Sequence, residues 1–192
     1  MKIRGMVVAG LLASALAAPG IVSAATVSLY GDKDGFGRGI LPDQGFDWSS
    51  ISQSPVGEGL TDYWVLYSQS WHQTYALPGT ITGASIEIMA GGLGLPVPAT
   101  LSINGTVIGT LTDGDNTGPA YNYARLDTFD LMPFLGALTG NDLITVSTGA
   151  DGWVLDYSEI VLNRATVPVP ASLALLAPGL AGLGLLRRRW SR

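Results

Sequence analysis

Leu101 to Leu111 reads LSINGTVIGTL, and this stretch decides the fold class. Asn104-Gly105 supplies the two positive φ angles of a type I′ turn, with apolar and polar residues alternating on either side. It predicts a tight antiparallel hairpin pairing Ile103 with Thr106 and Leu101 with Ile108. Working outward, strand-like stretches recur at Thr26 to Tyr30, Asp62 to Gln69, Trp71 to Leu77 and Ile81 to Met89. After the hairpin they recur at Leu126 to Leu131, Leu143 to Thr148 and Trp153 to Leu162. Within Ile81 to Met89, Ile86 and Ile88 fall on one face and Glu87 on the other. Leu138 to Asp142 and Gly149 to Gly152 are turn clusters, and Met132 to Leu138 is the one candidate for a helical turn. Gly31 to Asp47, with five Gly and one Pro, predicts a long ordered loop or irregular edge; Gly91 to Pro98, GGLGLPVP, predicts a surface loop. Eight or so strands with no amphipathic helix between them predict an all-β antiparallel sandwich rather than an α/β fold.

The two ends of the chain follow other rules. Lys2 and Arg4 precede an apolar run from Val7 to Ala18, Pro19-Gly20 breaks it, and Ser23-Ala24-Ala25 offers small residues. This order predicts a secretory signal peptide over residues 1–25, cleaved after Ala25. At the other end, Thr166 to Arg192 runs TVPVPASLALLAPGLAGLGLLRRRWSR. A Pro-x-Pro corner is followed by an uncharged apolar run, Ala171 to Leu186, and then by Arg187, Arg188 and Arg189. As a helix that run covers about 24 Å, and about 30 Å if extended back to Val167, roughly a hydrocarbon core. Arginines directly behind an apolar span hold that end on the cytoplasmic side. Residues 26–163 then form one extracytoplasmic domain of ordinary size.

Charge is divided along the same lines. The whole chain carries −5, yet all 15 acidic residues lie between Asp32 and Glu159. Only Lys33, Arg38 and Arg125 oppose them within 26–163, a net of −12 for the body. Such a surface repels phosphate backbones, so nucleic acid is excluded as a partner, while divalent cations and neutral glycans suit it. There is no cysteine. That removes disulfides, thiolate metal sites and cysteine nucleophiles.

The tail resembles the PEP-CTERM sorting signal from Val167 to about Arg189. In that family a Pro-Glu-Pro precedes the hydrophobic span and an Arg cluster closes it. Here the motif is Val167-Pro168-Val169-Pro170-Ala171-Ser172, with Val169 in place of the Glu. The resemblance implies an exported protein of a polysaccharide-producing Gram-negative bacterium, handled by signal peptidase and an exosortase-type transpeptidase. Such a protein is anchored in the inner membrane by a single span before processing, then displayed at the cell surface or in the exopolysaccharide matrix. More weakly, Leu101 to Leu162 resembles the galactose-binding-like jelly rolls that serve as non-catalytic carbohydrate-binding modules. In several of these the closing strand carries an Asp that helps hold a structural calcium. The matching position here is Asp156, within Trp153-Val154-Leu155-Asp156-Tyr157. The usual partner pair of Glu residues is replaced by Asp32 and Asp34.

The residues themselves support the same candidates. Asp156 shares strand parity with Val154 and Ile160, which predicts a partly buried carboxylate in need of donors or a cation. Calcium takes six to eight oxygens, several of them carboxylates, and the candidate ligands that the resemblance implies are Asp32, Asp34 and Asp156. Asp32-Lys33-Asp34-Gly35-Phe36-Gly37 is not an EF-hand, because Phe36 stands where an oxygen ligand is needed; Asp-x-Asp-Gly is also ordinary turn chemistry. Asp113-Gly114-Asp115-Asn116 is expected to be a plain turn.

Catalytic patterns are sparse. His72 is the sole histidine and no Gly-x-Ser-x-Gly elbow occurs, so neither a Ser-His-Asp nor a zinc site is expected. A carboxylate pair for glycoside hydrolysis stays open as the alternative, with Glu58, Glu87 and Glu159 available. Among the aromatic residues, Trp64, Trp71 and Trp153 are expected in the core, while Trp48, Tyr121 and Tyr123 fall on loops. Tyr121 and Tyr123 are the expected exposed pair for glycan contact. The expectation is therefore a non-enzymatic surface or matrix protein, with calcium as its only candidate cofactor.

Overall fold

The computed structural model describes residues 25–55, 59–77, 79–94, 97–115, 122–149 and 152–165. The signal peptide, the sorting motif Val167 to Ser172, the apolar run, Arg187 to Arg189 and Tyr121 lie outside the described residues. No helix among the described residues is long and apolar enough to cross a membrane.

Among the described residues there are nine strands: β1 Ala25–Gly31, β2 Gly45–Phe46, β3 Gln69–Thr74, β4 Ile81–Gly91, β5 Thr100–Ile103, β6 Thr106–Thr110, β7 Asn122–Asp130, β8 Asn141–Ser147 and β9 Val154–Arg164. They make two antiparallel sheets, one in the order β1-β9-β4-β7-β2 and the other β3-β8-β5-β6. The fold is a β-sandwich. The hairpin forms at Asn104-Gly105, with φ of 50° and 80°. Ile103 pairs with Thr106, but a bulge after Leu101 sets Leu101 against Gly109 rather than Ile108. The ring of Phe129 lies against the open side of Gly109, where a side chain would collide with it.

Alternation places the core. Ile86 and Ile88 of β4 and Ile160 and Leu162 of β9 face inward against Leu101, Ile103, Ile144, Val146 and Trp71 of the other sheet. These residues are almost wholly buried, which is the main stabilising term of a two-layer fold. A second cluster covers the opposite face of the five-stranded sheet. Phe36, Ile40, Phe46 and Ile51, from the segment after β1, lie over Met89, Ala124, Val154 and Tyr157. The long irregular segment therefore has its own apolar bed.

Three expectations change. Most of Asp62 to Gln69 is not a strand: before Gln69, which opens β3, its ladder pairing is limited to two isolated bridges, Ser52 with Tyr63 and Val65 with Trp153. Asp62 has φ of 63°, which breaks any extended run at its start. Gly91 to Pro98 does not lie wholly on the surface, since Gly91 ends β4 and Leu93 is buried in the main core. Tyr123 is not in a loop; it is half-buried in β7, with the Arg125 guanidinium 5.1 Å from its ring.

Candidate metal centre

β1 and β9 run antiparallel, and β1 ends with Gly31 paired to Tyr157. Three residues beyond, the chain turns sharply. Gly35 adopts φ of 71°, and a Cβ there would lie 2.2 Å from the backbone nitrogen of Ile40, so only glycine fits. Phe36 is also left-handed, at φ 60° and ψ 37°. A bulky residue in that region is strained unless its surroundings hold it. Two contacts do so. Its ring is buried 5.6 Å from that of Phe46, and its N–H donates to Asp156 Oδ1 at 2.7 Å. Asp34 closes the turn by accepting from Gly37 N at 2.6 Å.

Asp156 reaches this point because β9 is bulged. Met89 pairs with Tyr157 and Ala90 with Leu155, leaving Asp156 as the extra residue. A bulge re-aims a side chain and resets alternation. The parity expected between Asp156, Val154 and Ile160 therefore fails: Val154 lies in the second cluster and Ile160 in the main core. The expected burial of Asp156 holds all the same, at 2% exposed.

Asp32, Asp34 and Asp156 come together, and the structure adds Asp62. Each of the four offers a carboxylate oxygen, and these oxygens lie within 4.8 Å of one another. Asp62 is placed by its own N–H, which donates to Leu155 O at 2.8 Å, one residue before Asp156. It lies in a segment with no metal-like spacing, and two of the four non-glycine residues with positive φ among the described residues, Phe36 and Asp62, are at this corner. Such conformational outliers cluster at functional sites, but they cannot be read from periodicity.

Like charges so close are repulsive unless something offsets them. Lys33 is not aimed at the cluster. Its Nζ lies 2.7 Å from Glu159, 4.0 Å from Glu87 and 4.6 Å from the centre of the Tyr157 ring. Burial pushes the Asp156 carboxyl up, the Phe36 and Gly35 N–H groups oppose it, and the charges of Asp34 and Asp32 add to the rise, to about 7. Asp32 Oδ1 is buried without a hydrogen-bond partner. An all-oxygen donor set with an unsatisfied buried oxygen fits a hard cation of the calcium type.

Another buried carboxylate behaves differently. Asp142 is fully buried beside the hairpin turn and receives four hydrogen bonds. They come from Thr139 Oγ1 at 2.6 Å, Asn104 Nδ2 at 2.7 Å, Thr139 N at 2.8 Å and the Tyr75 hydroxyl. Burial alone would raise its carboxyl, but bonds from Thr139, Tyr75 and Asn104 outweigh that and hold it below the ordinary range.

Other candidates divide. Glu87 and Glu159 face each other across β4 and β9 with Lys33 bound to both, whereas Glu58 lies outside the described residues. His72 is an exposed residue of β3. Asp113 caps its own turn by accepting from Asp115 N at 2.9 Å. Trp71 and Trp153 are in the main core, while Trp64 is half-buried against the second cluster.

No family model and no curated protein matches this chain. Among solved structures it is similar to BuGH86 in complex with neoagarooctaose, at 11% identity and a TM-score of 0.41, over 76% of this chain and 19% of that one. A Glu-to-Gln variant of BuGH86 in the same complex gives 11% identity and a TM-score of 0.39, over 73% and 18%. The chain thus spans about a fifth of the protein it resembles.

Proposed function

We propose that this is an exported, non-catalytic β-sandwich protein of the galactose-binding-like jelly-roll type, stabilised by calcium and able to bind glycan. The observation that carries the calcium reading is the convergence of Asp32, Asp34, Asp62 and Asp156 within 4.8 Å. Those four would hold the ion, whose charge offsets their repulsion and fixes the end of β1 against the bulge of β9. Backbone carbonyls or water would complete a shell of six to eight oxygens. The tail, resembling a PEP-CTERM signal, would anchor the chain in the inner membrane before an exosortase-type enzyme processes it for the surface or the polysaccharide matrix.

Titrating calcium into the chelator-stripped full chain, followed by calorimetry, tests the ion. One-site binding that disappears in Asp156→Asn and Asp32→Asn supports it; no heat in the wild type removes it. Fractionating the native host tests the tail, since an intact, uncut chain found dissolved in the cytosol contradicts export.

A second reading, a small glycan-acting enzyme, is favoured by one observation: Glu87 and Glu159 are directly paired across adjacent strands. Against it, the shared Lys33 already makes them an ion-pair group. Turnover of exopolysaccharide lost in both Glu159→Gln and Glu87→Gln would establish the enzyme.

A further inference from the structure

We infer that the indole of Trp48, braced by Trp64, is a stacking platform for a neutral sugar ring, an assignment that rests on the glycan-binding reading above. Trp48 is 42% exposed and stands beside the half-buried Trp64, so that the two indoles form an aromatic pair at the surface. Its position is fixed. Trp48–Ser50 forms a single helical turn, and Asp47 caps it by accepting from Ser49 N at 2.9 Å. Ser50 Oγ donates to Asp47 O at 2.6 Å, and Ile51 N to Trp48 O at 3.1 Å. Ile51 and Phe46, on either side in sequence, are both buried in the second cluster.

Trp64 fixes the ring from beside it. The two centroids are 6.2 Å apart and the planes meet at 45°. Trp64 in turn rests on glycine: a Cβ on Gly92 would come within 2.7 Å of its ring and one on Gly152 within 1.9 Å. Two side-chain-free positions therefore clear a bed for this indole. A rigid aromatic face costs little conformational entropy when a ligand lands on it.

The surroundings select the ligand class. A net of −12 over the body disfavours anionic ligands. A quaternary ammonium would want several aromatic walls and free negative charge; here two rings meet at an angle and Asp47 Oδ1 is engaged by Ser49. A pyranose presents an apolar C–H face to the indole and hydroxyls to its rim. The same turn carries Ser49, next in the chain to Trp48, as a polar group for those hydroxyls.

Calorimetric titration of the full chain with cellohexaose, xylohexaose and laminarihexaose, with choline as the cationic probe, tests the assignment. Trp48→Ala should weaken binding of the recognised hexasaccharide about tenfold while the variant still unfolds in one cooperative transition. Trp48→Phe should lose less, and Val107→Ala, on an exposed position of β6, nothing. Unchanged affinity in Trp48→Ala overturns the platform while leaving glycan binding intact. No binding of any hexasaccharide by the wild type overturns both, and binding of choline alone replaces the sugar with a cation.

Discussion

Asp142 and Asp156 are both buried carboxylates near the ends of strands, and they reach opposite electrostatic states. Asp142 sits among donors, with Thr139, Asn104 and Tyr75 filling its oxygens. Asp156 sits among acceptors, with Asp32, Asp34 and Asp62 around it and the N–H of Phe36 as a donor to Oδ1. Burial raises the cost of charge equally in kind at both corners. The neighbours decide the sign. One carboxylate is complete within the protein, and the other is the one that we propose a cation completes.

The largest effect is expected from removing the satisfied carboxylate. Asp142→Ala leaves four donors without their acceptor and should cost about 3–5 kcal/mol, read by denaturant unfolding with and without calcium. The loss should be the same in both conditions. Equal insensitivity at the Asp156 corner would erase the contrast.

Next comes Asp156→Asn, whose effect should change sign with calcium. In chelator it relieves repulsion and should stabilise the protein by about 1–3 kcal/mol at pH 8. With calcium it removes a ligand, so the calcium-dependent rise in melting temperature should disappear.

The pH profile separates the corners further. Asp156 has a folded value near 7, above its unfolded value, so the folded state holds the extra proton between about 4 and 7. The stability it contributes without metal is present below that window and lost as pH rises through 7. Asp142 is depressed, so its contribution is full above the ordinary carboxylate range and lost as pH falls through its lower folded value. Metal-free protein should therefore be more stable at pH 5 than at pH 8, and calcium should flatten that difference. Thermal melts across the range read it directly.

The smallest effect is expected at the surface. Arg125 Nη1 lies 2.6 Å from Asp43 Oδ1, but the Asp43 side chain is 77% exposed. Asp43→Asn should shift stability by less than about 1 kcal/mol, and less again in high salt.

The sandwich was legible because turn chemistry and alternation are local. Asn104-Gly105 announced its hairpin, Ile86 and Ile88 announced their face, and Met132 to Leu138 its short helical turn. Three of the four carboxylates were likewise named from the sequence, Asp156 by resemblance and strand parity, and Asp32 and Asp34 as the pair that stands in place of the usual Glu residues. Asp62 was not, because its place follows from a backbone bond to Leu155, 93 positions away, and from a positive φ that no pattern announces. The parity argument at Asp156 failed for the same kind of reason: a one-residue bulge reverses alternation without leaving a trace in composition. The Leu101 pairing shifted at another bulge, where Gly109 makes room for Phe129.

The most direct test is the melting temperature of the full chain at pH 8 in calcium and in chelator, beside Asp156→Asn under the same conditions. A rise of several degrees with calcium in the wild type, absent from the variant, is the predicted result. Identical melting of the wild type in calcium and chelator would contradict a cation at this corner.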